Sequence, residues 1–345
     1  MKCSTLGFAL MSACASAAVL AQPSAPTLYG QLSGQIVHFD EADFIGNERD
    51  TSPSISRAVL GARGLYALAD GIRLAYRLEA DFAPLAEGDG SKSLYYSALN
   101  QIKDDDDDIF VRYASAAFIT PYGVFAIGDA RSGTYDEFYA PVDVFEVNTQ
   151  DSTPSAVANG SRMWTQAKWS KDGLVYKSPV WNNLYAKFVL ASVQSASDTD
   201  DDLKILDIVY RNDRFMLGAG LSVFDKEMPG VSSGETDRKR WRVASHYNWD
   251  SFRLAGVYEM NRDLGATGAD FDVFGITGTY IRGKFRYALS YQDREAPTSG
   301  ALVEDRAVLA QVRYTHDERL DFWAEAGSYR ESDKDNLAVG LNVHF

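Results

Sequence analysis

The sequence predicts an all-β fold, a transmembrane antiparallel β-barrel of about sixteen strands. Three observations predict it. Runs of about ten residues alternate apolar and polar side chains almost to the last residue, the length a tilted strand needs to cross a membrane. The runs are joined by short and long connections that take turns. Beyond the first twenty or so residues no segment is long and apolar enough for a transmembrane helix, and helical 3.6 spacing is not sustained.

The chain opens "MKCSTLGFALMSACASAAVLAQP". A single Lys precedes an apolar stretch of signal-peptide length, and Gln22, Pro23 and Ser24 follow at once. Residues 1–21 therefore read as a signal peptide cleaved after Ala21, with 22–345 as one barrel domain. An N-terminal membrane anchor is the alternative. A lipoprotein box at Cys14 is set aside because the apolar run continues to Ala21. Both cysteines, Cys3 and Cys14, lie in this segment, so the mature chain has no thiol chemistry and no disulfide scaffold. Removing the segment removes Lys2 and no acid, which takes the net charge from −14 to −15. That balance argues against nucleic acid as a partner.

The strands follow in order. In "GIRLAYRLEADF", residues 71–82, Ile72, Leu74, Tyr76, Leu78, Ala80 and Phe82 share one parity, and Arg73, Arg77, Glu79 and Asp81 the other. The same alternation recurs over residues 251–260, 284–292 and 336–345. Seven short turns fall at Ala69–Gly71, Thr120–Tyr122, Pro179–Asn183, Arg211–Asp213, Asn248–Asp250, Arg282–Gly283 and His316–Glu318. Long polar segments lie between them, and both termini fall on the short-turn side. Even strand number, short periplasmic turns and long outer loops are the grammar of outer-membrane barrels, and closure removes sheet edges. A soluble sandwich would not need this asymmetry. The apolar face then meets lipid and the charged face a water-filled lumen. Tyr29, Tyr66, Trp241, Tyr247, Tyr258 and Tyr314 are expected in the interfacial girdles.

Several stretches resemble one family. "PTLYGQLSGQIVHF" (26–39), "SRAVLGARGLYALADGIRLAYRLEADF" (56–82), "GVFAIGDARSGTYDEF" (123–138) and the closing "VGLNVHF" (339–345) resemble the first strand, second hairpin, fifth strand and last strand of the Gram-negative general diffusion porins. The resemblance implies an outer-membrane, water-filled channel for passive diffusion of ions and small hydrophilic solutes. It implies a loop, here about 129–171, folded inward as a constriction. It also implies a homotrimer held by strand one and residues 83–108, with Gly30 and Gly34 allowing close packing. Phe345 matches the terminal Phe read as an assembly signal by the barrel-assembly machinery. The family commonly has a basic residue where this chain has Asp129, with Arg131 two residues on.

The candidate pore residues follow. Arg57, Arg63, Arg77 and Arg112 sit on the lumen parity of strands two to four, and the long loop carries Asp129, Asp136, Glu137, Asp143, Glu146 and Asp151. With Arg131, these predict a transverse field at a narrow waist, acids on the loop opposite arginines on the wall. The alternative for each is a solvated lumen charge. Asp129 and the acidic loops lead to an expected mild cation preference. Arg238, Arg240 and Arg242 share one parity and read as a basic ladder on the lumen wall, with Lys239 a candidate contact to outer-leaflet lipopolysaccharide.

Other classes stay open at this stage. A sugar- or organic-acid-specific channel would use an aromatic track, for which Tyr95, Tyr96, Tyr135, Phe138, Tyr139, Phe145 and Trp164 are candidates. A barrel-borne hydrolase is less supported, because His38, His246, His316 and His344 lie in no nucleophile or metal motif. No cofactor or metal is expected. The acid runs 103–108 and 197–202 lack the spacing and turn Gly of a calcium loop.

Overall fold

The computed structural model describes residues 25–40, 51–83, 109–149, 163–166, 168–191, 203–225, 237–262, 270–295, 304–332 and 334–345. The signal segment, the acid runs 103–108 and 197–202, most of segment 83–108, Tyr95, Tyr96 and Asp151 lie outside them. Sixteen strands form: β1 (Thr27–Phe39), β2 (Thr51–Ala69), β3 (Ile72–Asp81), β4 (Phe110–Thr120), β5 (Gly123–Arg131), β6 (Trp169–Lys177), β7 (Leu184–Ala191) and β8 (Leu203–Arg211). They continue as β9 (Phe215–Phe224), β10 (Arg238–Trp249), β11 (Phe252–Arg262), β12 (Phe271–Arg282), β13 (Phe285–Arg294), β14 (Asp305–Thr315), β15 (Leu320–Tyr329) and β16 (Asn336–His344). A single π-helical turn, Tyr135–Tyr139, lies between β5 and β6.

Each strand pairs antiparallel with its sequence neighbours, and β1 pairs with β16 to close the barrel. Apart from register shifts in β1–β6, the strand interiors satisfy their backbone groups in the ladder, which is what a sheet in lipid requires. All seven short turns fall where the sequence marks them. Asn182 (φ 48°) and Asn183 (φ 67°) turn β6 into β7 in the left-handed region, the pairing a two-residue hairpin favours. Gly71 (φ 75°) does the same work between β2 and β3. β2, at 19 residues, outruns the ten-residue expectation, and its register shifts opposite Ser33 and Gly34.

The two faces separate as the alternation predicts. Leu28, Leu32, Ile36, Leu60 and Leu78 are exposed on the outside, while Glu79 and Asp81 are buried inside. Aromatic rings ring the barrel near the short turns: Tyr247 lies 4.4 Å from Trp249, which lies 5.6 Å from Phe252, and Tyr314 lies 5.0 Å from Phe285. Trp241 and Tyr258 are exposed towards the other end. Tyr29 departs from the girdle expectation. Its hydroxyl donates to Glu79 at 2.7 Å and accepts from Arg77 at 2.7 Å, so its ring lies inside, across the face of Gly61. Its parity, shared with Gln31, Ser33 and Gln35, is the reason.

Gly30 has a role other than subunit packing. Phe345 and Gly30 exchange backbone hydrogen bonds of 2.8 and 3.1 Å. The Phe345 ring covers Gly30 so closely that a Cβ there would stand 2.3 Å from it.

Candidate pore site

The chain between β5 and β6 packs against the inner wall. Tyr135, Phe138 and Tyr139 lie on one side of the π-helical turn and are buried with Val142, Phe145, Val147, Met163 and Trp164. Wall residues of β1 and β7–β16 complete this apolar cluster, among them Val37, Val209, Met216, Val257, Val273 and Leu309. Glycines on the inner parity make the sockets. Phe138 occupies the space a Cβ on Gly218 would need, Trp164 that of Gly275, and Asn148 that of Gly327.

Polar anchors fix the register of this segment. The Glu325 carboxylate accepts from the backbone N–H groups of Glu146, Val147 and Asn148 at 2.8, 3.1 and 2.7 Å, and from the Asn148 amide at 2.8 Å. Glu259 accepts from Tyr139 at 2.6 Å and from the Thr165 hydroxyl at 2.6 Å. Glu137 accepts from Lys187 at 2.8 Å and Tyr185 at 2.5 Å. Asp207 accepts from Thr134 at 2.6 Å and pairs with Lys187 at 3.1 Å and with Arg242. Arg240 donates to the Thr165 carbonyl at 2.8 Å. Arg238, Arg240 and Arg242 all lie on the inner wall, at most 3% exposed, and so are covered rather than presented to a stream of water.

The arc β2–β5 is different. Arg77 pairs with Glu79 at 2.5 Å, and Arg112 with Glu79 at 2.9 Å and Asp81 at 3.1 Å. The Arg77 guanidinium sits 3.6 Å from the Tyr113 ring centre, Arg112 sits 4.6 Å from that of Trp169, and Arg63 sits 5.2 Å from that of Tyr29. Such stacking holds a flexible cation in one place. Arg131 pairs with Asp136 of the loop. Ala75, Arg77, Tyr113, Ala126, Arg131 and Asp136 line one open cavity between arc and loop. Arg57 lies near Arg112, Asp81 and Glu146 and makes no ion pair among the described residues.

The loop acids sit in contrasting fields. Burial pushes Asp136 above the ordinary carboxylate range, and Arg131 offsets this only in part. Burial also opposes ionisation of Glu137, but Lys187 and Lys177 outweigh it and hold it below that range. For Glu146 the burial is overcome by Arg313 and Arg57, which pull it down to about 2.

These contacts revise the opposition read from sequence. No loop acid forms an ion pair with Arg57, Arg63, Arg77 or Arg112 among the described residues. Glu146 pairs instead with Arg313 of β14, Glu137 with lysines, and Asp143 bonds within its own segment to Tyr135 and Thr149. Asp129 stands opposite Ala114 in the β4–β5 ladder. The register of β5 against β6 shifts between Gly128 and Ala130, at this residue. Tyr135, Phe138, Tyr139, Phe145 and Trp164 are at most 5% exposed, which leaves no aromatic track among them. The sequence reading missed Glu79, Asp81, Asp207, Glu259, Glu325 and Arg313. Each lies on a legible inner parity, but apart from the Arg77–Glu79 contact the partners are far along the chain.

A closed sixteen-stranded barrel with an apolar outer band and a charged interior is the architecture of an outer-membrane diffusion channel. The chain belongs to the Gram-negative porin family, whose model matches residues 7–334. It is an outer-membrane porin through which small hydrophilic solutes diffuse passively, and this family and fold are those of channels rather than enzymes. No curated protein matches it. Similar solved structures include OmpF of Salmonella typhi in complex with daunomycin (TM-score 0.67, 15% identity, 93% of this chain and 97% of that one). The trimer form of OmpT, an outer membrane protein of Vibrio cholerae, gives TM-score 0.66 at 16% identity over 94% and 100% of the two chains. An anion-selective porin from Comamonas acidovorans gives 0.63 at 14% over 93% and 99%.

Proposed function

We propose that the protein is a general-diffusion porin acting as a homotrimer, whose waist lies between the β5–β6 loop and the arc β2–β5. In this reading the stream passes Arg57, Arg63, Arg77, Arg112 and Arg131 on one side and Asp136 and Glu146 on the other. The trimer form of the Vibrio cholerae OmpT supports the assembly state. The carrying observation concerns exposure. In each ion pair along the passage the cation is the more exposed partner: Arg77 12% against Glu79 3%, Arg112 11% against Asp81 0%, and Arg131 30% against Asp136 17%. Water in the passage therefore meets guanidinium first. The waist favours small anions, and this replaces the cation preference expected from Asp129. An enzymatic role has no support in this arrangement, and neither does a sugar-specific one.

The test is reconstitution in a planar bilayer. Stepwise ohmic conductance is expected, with zero-current potentials in a KCl gradient that favour chloride and persist at high salt, where exposed loop charges are screened within about 3 Å at 1 M. Cation preference at high salt would overturn the assignment of the waist. Absence of conductance would overturn the channel reading.

A further inference from the structure

Arginines on the inner wall are paired with carboxylates along most of its height, as with Arg77, Arg112, Arg131, Arg242 and Arg313. Besides Arg57, a group near the short turns breaks this pattern. Arg211 ends β8, His246 lies on β10 and Arg253 on β11, all on the inner parity. Arg211 and His246 both stand opposite Met216 of β9. His246 also stands opposite Ala255, two residues from Arg253. Both guanidiniums bear electrostatically on the imidazole, and Arg211 bears on Arg253.

No carboxylate forms an ion pair with them among the described residues. Asp207, on the same strand as Arg211, is held by Lys187 and Arg242, and Glu137 by Lys187 and Lys177. Asp213 and Asp250, in the adjoining turns, are exposed and make no ion pair with the group among the described residues. The Nε of Arg211 and the Nδ1 of His246 are shielded from water and lack a hydrogen-bond partner. Arg253 donates its Nε to Asn248 at 2.6 Å and is otherwise exposed, so the group can be reached from the mouth of the barrel. Above it the wall is apolar, with Val209, Ala244 and Ala255 buried. Two like charges and unsatisfied donors beside an apolar wall carry a cost that a bound anion would remove.

We propose that Arg211, His246 and Arg253 form a binding site for a small, multiply charged oxyanion of the phosphate class at the short-turn, periplasmic mouth of the channel. Guanidinium forks match tetrahedral oxyanion oxygens, and the imidazole adds a further donor. The site is separate from the waist, and the proposal stands independently of which ion that waist prefers.

Inorganic phosphate titrated calorimetrically into the detergent-purified full-length protein should bind saturably, and chloride at equal ionic strength should not compete. Arg211→Gln with Arg253→Gln should weaken binding about tenfold or more, as expected for loss of charge-assisted hydrogen bonds. Arg211→Lys with Arg253→Lys should retain part of the affinity. In a bilayer the same phosphate should lower the KCl current saturably in the wild type and not in the Gln variant. Should the double variant fail to fold, His246→Gln gives an independent reading, with a smaller loss of affinity. Binding that follows ionic strength alone, or is unchanged in the Gln or His246→Gln variants, would overturn the proposal.

Discussion

The inner wall has two halves that use charge in opposite ways. Over β7–β15, carboxylates such as Glu325, Glu259 and Asp207 are buried and accept hydrogen bonds from the loop, with apolar side chains and glycine sockets between them. Over β2–β5, carboxylates are buried beneath arginines whose outer edges stay in contact with water. The first half is built like a protein core with its polar groups satisfied, the second like a solvated surface folded inwards. A lumen-facing charge is therefore structural or functional according to what covers it.

The sharpest way to break this comparison is Glu325→Ala. It leaves several buried donors of residues 146–148 without an acceptor, each worth about 1–3 kcal/mol. Unfolding in denaturant should show a loss of about 3 kcal/mol or more, and single-channel records should become noisy as the loop loosens. Unchanged stability would mean that Glu325 does not hold the loop. On the other half, Tyr29→Phe removes one hydroxyl between Arg77 and Glu79 and should cost about 1 kcal/mol, with conductance unaltered.

Selectivity should move by less. Arg57→Gln removes a cation that has no ion-pair partner among the described residues. A unit charge at roughly 8 Å in water-like dielectric contributes about 0.5 kcal/mol, so the chloride-to-potassium permeability ratio should fall about twofold. Zero-current potentials read this directly. The smallest effect is that of pH. Asp136, raised by burial, takes up its proton on acidification while Glu146 stays ionised until pH nears 2. Chloride preference should therefore rise modestly on acidification, and Asp136→Asn should abolish that rise. Glu146 is held below its unfolded value, so its stabilising contribution is complete above the ordinary carboxylate range and disappears only as pH falls towards 2.

Much of this was legible in the chain. Alternation and turn residues are local signals, and they mark every short turn and the lipid face. Even the misplacement of Tyr29 could have been avoided, because its parity is that of Gln31 and Ser33. What local pattern cannot carry is partnership across the lumen. Glu325 meets residues 146–148 across some 177–179 positions of sequence, and nothing near either end announces the other. The same holds for the division of loop aromatics between wall and stream: Tyr135 and Phe138 look like a sugar track until the Gly218 socket is seen.

The seam between the first and last strands is what closes the barrel. β1 is completed by its ladder to β16, from Gln31–His344 to Phe39–Asn336, and the Phe345 ring seats on Gly30. A chain halted anywhere before β16 leaves an unpaired edge at each side of its sheet, which lipid does not tolerate and other chains can extend. Closure thus depends on β16, and the Phe345 ring on Gly30 sits at the seam that β16 completes.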